Sequence, residues 1–173
     1  MIDIRPEIPA DYDEVRRLVR KSFETAEHTN GDEYNLVGRL RNSRAYIPEL
    51  SLVAERNGKL AGHIMFTQIH VGNTTQLILA PLSVLPEYQK QGIGSALIAA
   101  GHAAAQKTEY EFSILVGHAS YYPKFGYRPA AEFGLRCPLE VPPECFMAFN
   151  LKGRKTCLNA EIEFPPEFFE KNA

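Results

Sequence analysis

The chain has 173 residues, 45% hydrophobic and 23% charged, the usage of a soluble globular protein of one domain. Its 19 basic and 21 acidic residues leave a net charge of −2, which argues against a general nucleic-acid binder, since that would carry a strongly basic footprint. No apolar run reaches about 18 residues, so no membrane-spanning helix is expected. The first residues include Asp3, Glu7, Asp11 and Asp13 and lack the apolar stretch of a secretory signal. Cys137, Cys145 and Cys157 show no C-x-x-C spacing, so neither a disulfide framework nor a metal site is expected, and a reducing cytoplasm fits.

In chain order, Ile2 to Arg5 alternates as a short strand does before Pro6. Tyr12, Val15, Leu18, Val19 and Phe23 form the apolar stripe of a first helix beginning near Pro9. Glu24 to Asp32 reads as a loop, and Glu33 to Arg41 as a second helix with Leu36, Val37 and Leu40 inward. Ser51 to Arg56 and Leu60 to Val71 read as a hairpin around Asn57-Gly58, a pair suited to a turn with positive φ at both central positions. After Gly72-Asn73 a third strand runs from Gln76 to Leu85. Pro81 lies inside it and cannot donate to a ladder, which predicts a bulge or a locally unpaired stretch there.

Gly92 to about Gln106 reads as a helix with Ile93, Ala96, Leu97, Ala100 and Ala104 buried. A strand over Glu111–Val116, a short helix over Ser120–Phe125, and strands over Tyr127–Leu135 and Cys145–Leu151 follow. The acidic-aromatic stretch from Glu161 to Glu170 reads as a strand plus a packing extension, or as the subunit contact of a homodimer. A hairpin meander joined to one strand-helix-strand crossover is an α+β arrangement rather than a doubly wound sheet.

The chemistry concentrates where the third hairpin strand gives way to the helix at Gly92. Unpaired N–H groups at a helix start point outward together, and the helix dipole adds positive character, so such a place suits a phosphate. Gly92 and Gly94 allow close backbone approach, and Lys90 adds a mobile positive charge. The spacing fits neither a P-loop nor a dinucleotide-binding G-x-G-x-x-G. The glycines alone are equally compatible with a plain strand-to-helix turn.

Gln89-Lys90-Gln91-Gly92-Ile93-Gly94 matches Q/R-x-x-G-x-G/A, and the run from Pro86 to Leu97 resembles the GNAT N-acetyltransferase superfamily. Tyr121-Tyr122-Pro123-Lys124-Phe125-Gly126-Tyr127 resembles that superfamily's second hallmark, a tyrosine in a short helix before a Gly-aromatic turn. The longer run from Gly117 to Pro129 resembles the YhbS-like branch of predicted acetyltransferases. The resemblance covers about residues 1–151. It implies a single GNAT-type domain over residues 1–173, with a core over 1–151 and a C-terminal strand or tail over 152–173. The implied sheet is mixed, of about seven strands, with helices on both faces and a splayed acetyl-CoA cleft between strands four and five.

Carried over by that resemblance, Leu82, Ser83 and Val84 present backbone groups to the pantetheine arm. The amides of Gln89, Lys90, Gln91, Gly92, Ile93, Gly94 and Ser95 hold the pyrophosphate. Tyr122 matches the tyrosine that protonates the departing thiolate, and the thioester oxygen meets a backbone N–H near Val84. The implied cosubstrate is acetyl-CoA, with no metal, and the acceptor is a primary amine of a small molecule or a protein that attacks directly. No nucleic acid or membrane partner is expected.

The glutamate that some members carry on the fourth strand has no counterpart between Gln76 and Leu85, so the base is open among His63, His70, Glu33, His118 and water. His118, just beyond the fifth strand, could relay a proton or bind the cosubstrate. His28 and His102 have no motif support. Tyr121 reads as a structural neighbour of Tyr122, and Cys137 and Cys145 as small buried residues. The loops near residues 24–35 and 117–145 would carry acceptor specificity. The alternative function is a non-catalytic acyl-CoA-binding sensor or scaffold.

Overall fold

In the computed structural model, which describes residues 1–26 and 29–170, Asn57 and Gly58 adopt left-handed φ values of 53° and 74°. They form the two-residue turn between β2 (Tyr46–Arg56) and β3 (Lys59–Val71). β1 (Ile2–Pro6) pairs antiparallel with β2, and β4 (Thr74–Val84) with β3. β4 then lies parallel to β5 (Phe112–Val116), which is followed by β8 (Phe146–Asn150) and β6 (Arg128–Pro129), both antiparallel. β7 (Leu135–Arg136) joins through β9 (Ala160–Glu163), which pairs with the far end of β3.

Alternation along β3 divides the core. Ile64 and Phe66 face α3 (Ile93–Gln106), while His63 and Met65 face α1 (Tyr12–Phe23) and α2 (Glu33–Arg41). The predicted stripes are buried in part: Val15, Leu18 and Val19 on α1 and Val37 and Leu40 on α2 cover one face and Ile93 and Leu97 on α3 the other, whereas Tyr12, Phe23, Leu36, Ala96, Ala100 and Ala104 are half-buried and the buried face of α3 runs through Ile98 and Ala105 instead. Each such side chain contributes about 1.5–3 kcal/mol by leaving water. α3 sits close to the sheet because neither side of the contact carries a Cβ. One on Gly101 would lie 2.4 Å from Phe66 Cε2, and one on Gly62 2.9 Å from both Ile93 Cγ2 and Leu97 Cδ1. This contact sets the height of the α3 N-terminus above β4.

Three expectations need correction. The sheet has nine strands rather than about seven, because short segments late in the chain add to it. The strand expected over Tyr127–Leu135 is two two-residue strands separated by a 3-10 turn over Ala130–Phe133, with Pro129 before the turn and left-handed Gly134 ending it. β2 starts at Tyr46 rather than Ser51: its register slips between Tyr46 and Ser51, and that irregular stretch contains Pro48. The irregularity expected at Pro81 is present as a one-residue bulge, where Ile64 pairs with Leu82 and Phe66 with Leu79. The tail segment does supply a strand, β9. Among the described residues no helix is long and apolar enough to cross a membrane, and no cluster of side chains could hold a metal ion.

Candidate functional site

β4 and β5 pair only at Leu77 with Ser113 and Ile78 with Ile114. Beyond those pairs β4 continues to Val84 and β5 to Val116 without a shared ladder, so a gap opens toward the C-terminal ends of both strands. Leu85 N–H donates to Ala61 C=O at 2.9 Å, and alternation along an antiparallel pair then turns the backbone of Ser83 toward His63 on β3. The backbone groups of Leu82 and Val84 therefore face the gap. This alternation is finer than the sequence reading, which grouped all three residues.

A 3-10 turn over Pro86–Tyr88 and a tight loop carry the chain from β4 into α3. Lys90 and Gly92 take left-handed φ values of 60° and 87°, and Gly92 is the N-cap. A substituent at Gly92 would have open space but a backbone shape that L-residues resist by about 1–2 kcal/mol. Among the described residues no side chain caps this helix end, and no acidic residue lies in its first turn. The first intrahelical bond runs from Ala96 N–H to Gly92 C=O at 3.0 Å, which leaves the amides of Ile93, Gly94 and Ser95 directed outward. Side chains brace the loop from outside: Gln89 Nε2 donates to Val84 C=O at 3.2 Å, Gln91 Nε2 to Glu87 C=O at 3.0 Å, and Arg56 binds Gln91 Oε1.

A cleft of about 440 Å³ lies over this loop. Gln89, Lys90, Gly92, Ile93, Gly94 and Ser95 line one side, with Val84 and Tyr88, and Tyr121 and Lys124 complete it from the segment after β5. None of the lining residues is acidic and two are lysines. The cleft thus offers backbone N–H donors and positive charge to an anion. Tyr88, Tyr121 and Lys124 were not assigned to it from sequence. Tyr121 lay within a recognised motif, but no spacing rule shows that its ring folds back over α3.

His118 C=O accepts the N–H groups of Tyr121 at 3.1 Å and Tyr122 at 3.4 Å, so one turn holds all three residues. The His118 side chain is exposed. Tyr122 begins the 3-10 turn over Tyr122–Phe125 and packs inward, edge-on to Tyr121 and Tyr127 with ring centroids 5.1 and 5.7 Å away. A Cβ on Gly117 would lie 2.5 Å from Tyr122 Cε2, so only glycine fits beneath that ring. Burial raises the pKa of the Tyr122 hydroxyl, which is therefore protonated at neutral pH. The Tyr121 hydroxyl reaches Gly94, 2.6 Å from where a Cβ would stand.

The other candidate bases lie elsewhere. His63 is fully buried on the α1/α2 face, its Nε2 3.1 Å from Ser51 Oγ and 3.4 Å from Glu7 Oε2. Burial lowers its pKa and keeps the ring neutral, and its Nδ1 is buried without a hydrogen bond among the described residues. Glu7 also receives Arg41 Nε and Nη2 at 2.9 and 2.7 Å, the Tyr46 hydroxyl at 3.0 Å and the Ser51 hydroxyl at 2.7 Å. Burial pushes the Glu7 carboxyl up, but hydrogen bonds from His63 and Arg41 outweigh it and hold the group well below the usual carboxylate range. His70 is exposed on β3 opposite Glu163 of β9, and Glu33 at the start of α2 accepts the Thr29 hydroxyl. His102 is buried, stacked on Phe149 at 4.1 Å and 3.0 Å from the Tyr127 hydroxyl, and burial lowers its pKa to about 4. His28 lies outside the described residues.

The family profile described as "Acetyltransferase (GNAT) domain" matches residues 48–129. The uncharacterized N-acetyltransferase YjhQ of Escherichia coli K12 is 32% identical over 161 residues, covering 88% of this chain and 86% of that protein. The structure of the E. coli GNAT family N-acetyltransferase YhbS in complex with CoA superimposes with a TM-score of 0.85 at 26% identity, covering 99% of this chain and 93% of that one. A GNAT family acetyltransferase from Brucella melitensis in complex with acetyl-CoA gives a TM-score of 0.81 at 28% identity, covering 97% and 98%.

Proposed function

Because the chain belongs to the GNAT acetyltransferase family, we propose that it transfers the acetyl group of acetyl-CoA to a primary amine of a small molecule or a protein. The observation that carries this reading is the gap between β4 and β5, which ends on a cationic cleft over the exposed amides of α3. Those amides and Lys90 suit the diphosphate. The backbone groups of Leu82 and the N–H of Val84 suit the amide-bearing pantetheine arm, which would satisfy donors and acceptors left unpaired by the parting strands.

In the proposed reaction the neutral amine nitrogen bonds to the thioester carbon and the carbon–sulfur bond breaks. A backbone N–H near Val84 stabilises the carbonyl oxygen as it gains negative charge. Tyr122 gives its proton to the departing thiolate. The amine gives up a proton to water or through His118, and that proton restores Tyr122, so the protons balance. The support for Tyr122 is its match to the family position, its protonated hydroxyl, and a ring fixed by Gly117, Tyr121 and Tyr127.

Thiol release from acetyl-CoA, followed across a panel of small amines and peptides, tests the activity. Binding of acetyl-CoA without release toward any amine would instead identify a sensor or scaffold. Tyr122→Phe keeps the ring, so folding should survive while kcat falls by about 10²–10⁴-fold. An unchanged kcat, with chemistry rate-limiting, would remove Tyr122 from the mechanism.

A further inference from the structure

The motif residues occupy one side of the cleft, and two side chains from about thirty residues downstream occupy the other. Tyr121 puts its hydroxyl against Gly94, on the ridge of outward-facing amides. Lys124, three residues on in the same turn, places its Nζ 5.2 Å from the centre of the Tyr121 ring. Among the described residues neither Lys124 nor Lys90 forms an ion pair with a carboxylate. An ammonium group left without a counter-ion in an acid-free cleft, beside a phenol aimed at helix-start amides, has the chemistry to complete a phosphate site.

We propose that Tyr121 and Lys124 form the second wall of the diphosphate site, the Tyr121 hydroxyl donating to a diphosphate oxygen and Lys124 neutralising its charge. This rests on the reading of the cleft as the acetyl-CoA site and adds two residues to it. The amides fix where the diphosphate sits. Lys124, carried on the turn that holds Tyr122, closes over it. The turn bearing the proposed proton donor is thereby tied to the cosubstrate at its opposite, phosphate end.

The test is calorimetric binding of CoA, 3′-dephospho-CoA and 4′-phosphopantetheine to the wild-type chain and to Lys124→Ala, Lys124→Arg and Tyr121→Phe. Removing one charge-assisted hydrogen bond to the ligand raises Kd by roughly ten- to hundredfold. Lys124→Ala should weaken CoA and dephospho-CoA by the same factor, with the loss shrinking as salt is added. It should leave 4′-phosphopantetheine, which lacks the diphosphate, least affected. Lys124→Arg should recover most of the affinity, and Tyr121→Phe should lose a smaller, severalfold amount. A loss confined to CoA would move Lys124 to the 3′-phosphate and overturn the diphosphate assignment. Unchanged affinity in Lys124→Ala would overturn the proposal outright while the wild-type chain still binds. Failure of the wild-type chain to bind CoA would instead overturn the reading of the cleft, and this proposal with it.

Discussion

Around Glu7 the charges find their partners inside the chain. Arg41 from α2, Tyr46 and Ser51 from β2, and His63 from β3 all converge on one carboxylate that no solvent reaches. At the start of α3 the opposite holds: three outward amides, a helix end with no side-chain cap, and two lysines without carboxylate partners among the described residues line an open cleft. The first region ties together β1, α2, β2 and β3 and serves stability. The second leaves the α3 amides and both lysines without hydrogen-bond or ion-pair partners among the described residues, an arrangement that suits an anionic ligand. A polar cluster is therefore read best by asking whether it closes on itself.

That contrast breaks most visibly at Arg41. Arg41→Ala would leave the Glu7 charge buried without its guanidinium, a loss of about 3–5 kcal/mol in urea unfolding. The fraction that stays folded should bind CoA normally. Weakened binding in that folded fraction would mean the two regions are coupled.

Acid should act on the buried side first. His63 and His102 are held neutral by burial, so the unfolded chain takes up their protons first, and stability declines as pH falls below about 6.5. The His102 share is lost down to its folded value of about 4 and amounts to at most about 3 kcal/mol. Glu7, whose folded pKa is depressed, contributes stability that is present above about pH 4.3 and is lost at lower pH. Denaturant melts at pH 7, 5.5 and 4 check the slope. His102→Gln should flatten it between 6.5 and 4, and a profile unchanged by that substitution would remove His102 from the account.

The cleft should respond in binding more than in stability. Gly92→Val forces a side chain onto a backbone φ of 87° and brings a β-branched group beside the amides. CoA affinity should drop at least about tenfold, a loss of about 1.4 kcal/mol, with a stability cost of about 1–2 kcal/mol. Equal CoA titrations in variant and wild type would displace the diphosphate from this loop.

The smallest effect sits between the two regions. Ser83 lies on β4 opposite His63 in the ladder, its Oγ buried and unpartnered among the described residues. Ser83→Ala should change stability by less than about 1 kcal/mol, in either direction, and leave CoA binding alone, because the Ser83 backbone turns to β3 and its side chain does not line the cleft. A marked loss of stability would reveal a partner for that hydroxyl.

The cleft loop was legible in the sequence because its determinants are local. Two glycines, a lysine and a helix start fall within a few residues, and the Asn57-Gly58 turn is equally self-contained. The Glu7 cluster was not, since its five members come from four separate stretches of the chain, and no local spacing joins Glu7 to Arg41, Tyr46, Ser51 or His63. β6 and β7 read from sequence as one strand over Tyr127–Leu135 because two-residue strands have no periodicity and exist only through their pairing with β8 and β9. Lys124 and Tyr121 fell inside a recognised motif, yet their place in the cleft depends on how the turn after β5 folds over α3.

β9 pairs His70 with Glu163 and Val71 with Ile162, positions more than ninety residues apart in the chain. Beyond Thr67, β3 has left its ladder with β2, so its outer half borders β9 instead. During synthesis the ribosome delivers β3 long before β9, and until residues 160–163 emerge that half of β3 is an unpaired edge with Ile69 and Val71 beside it. Unpaired apolar edges recruit other strands. Nascent chains arrested before residue 160 are thus the species in which aggregation should begin.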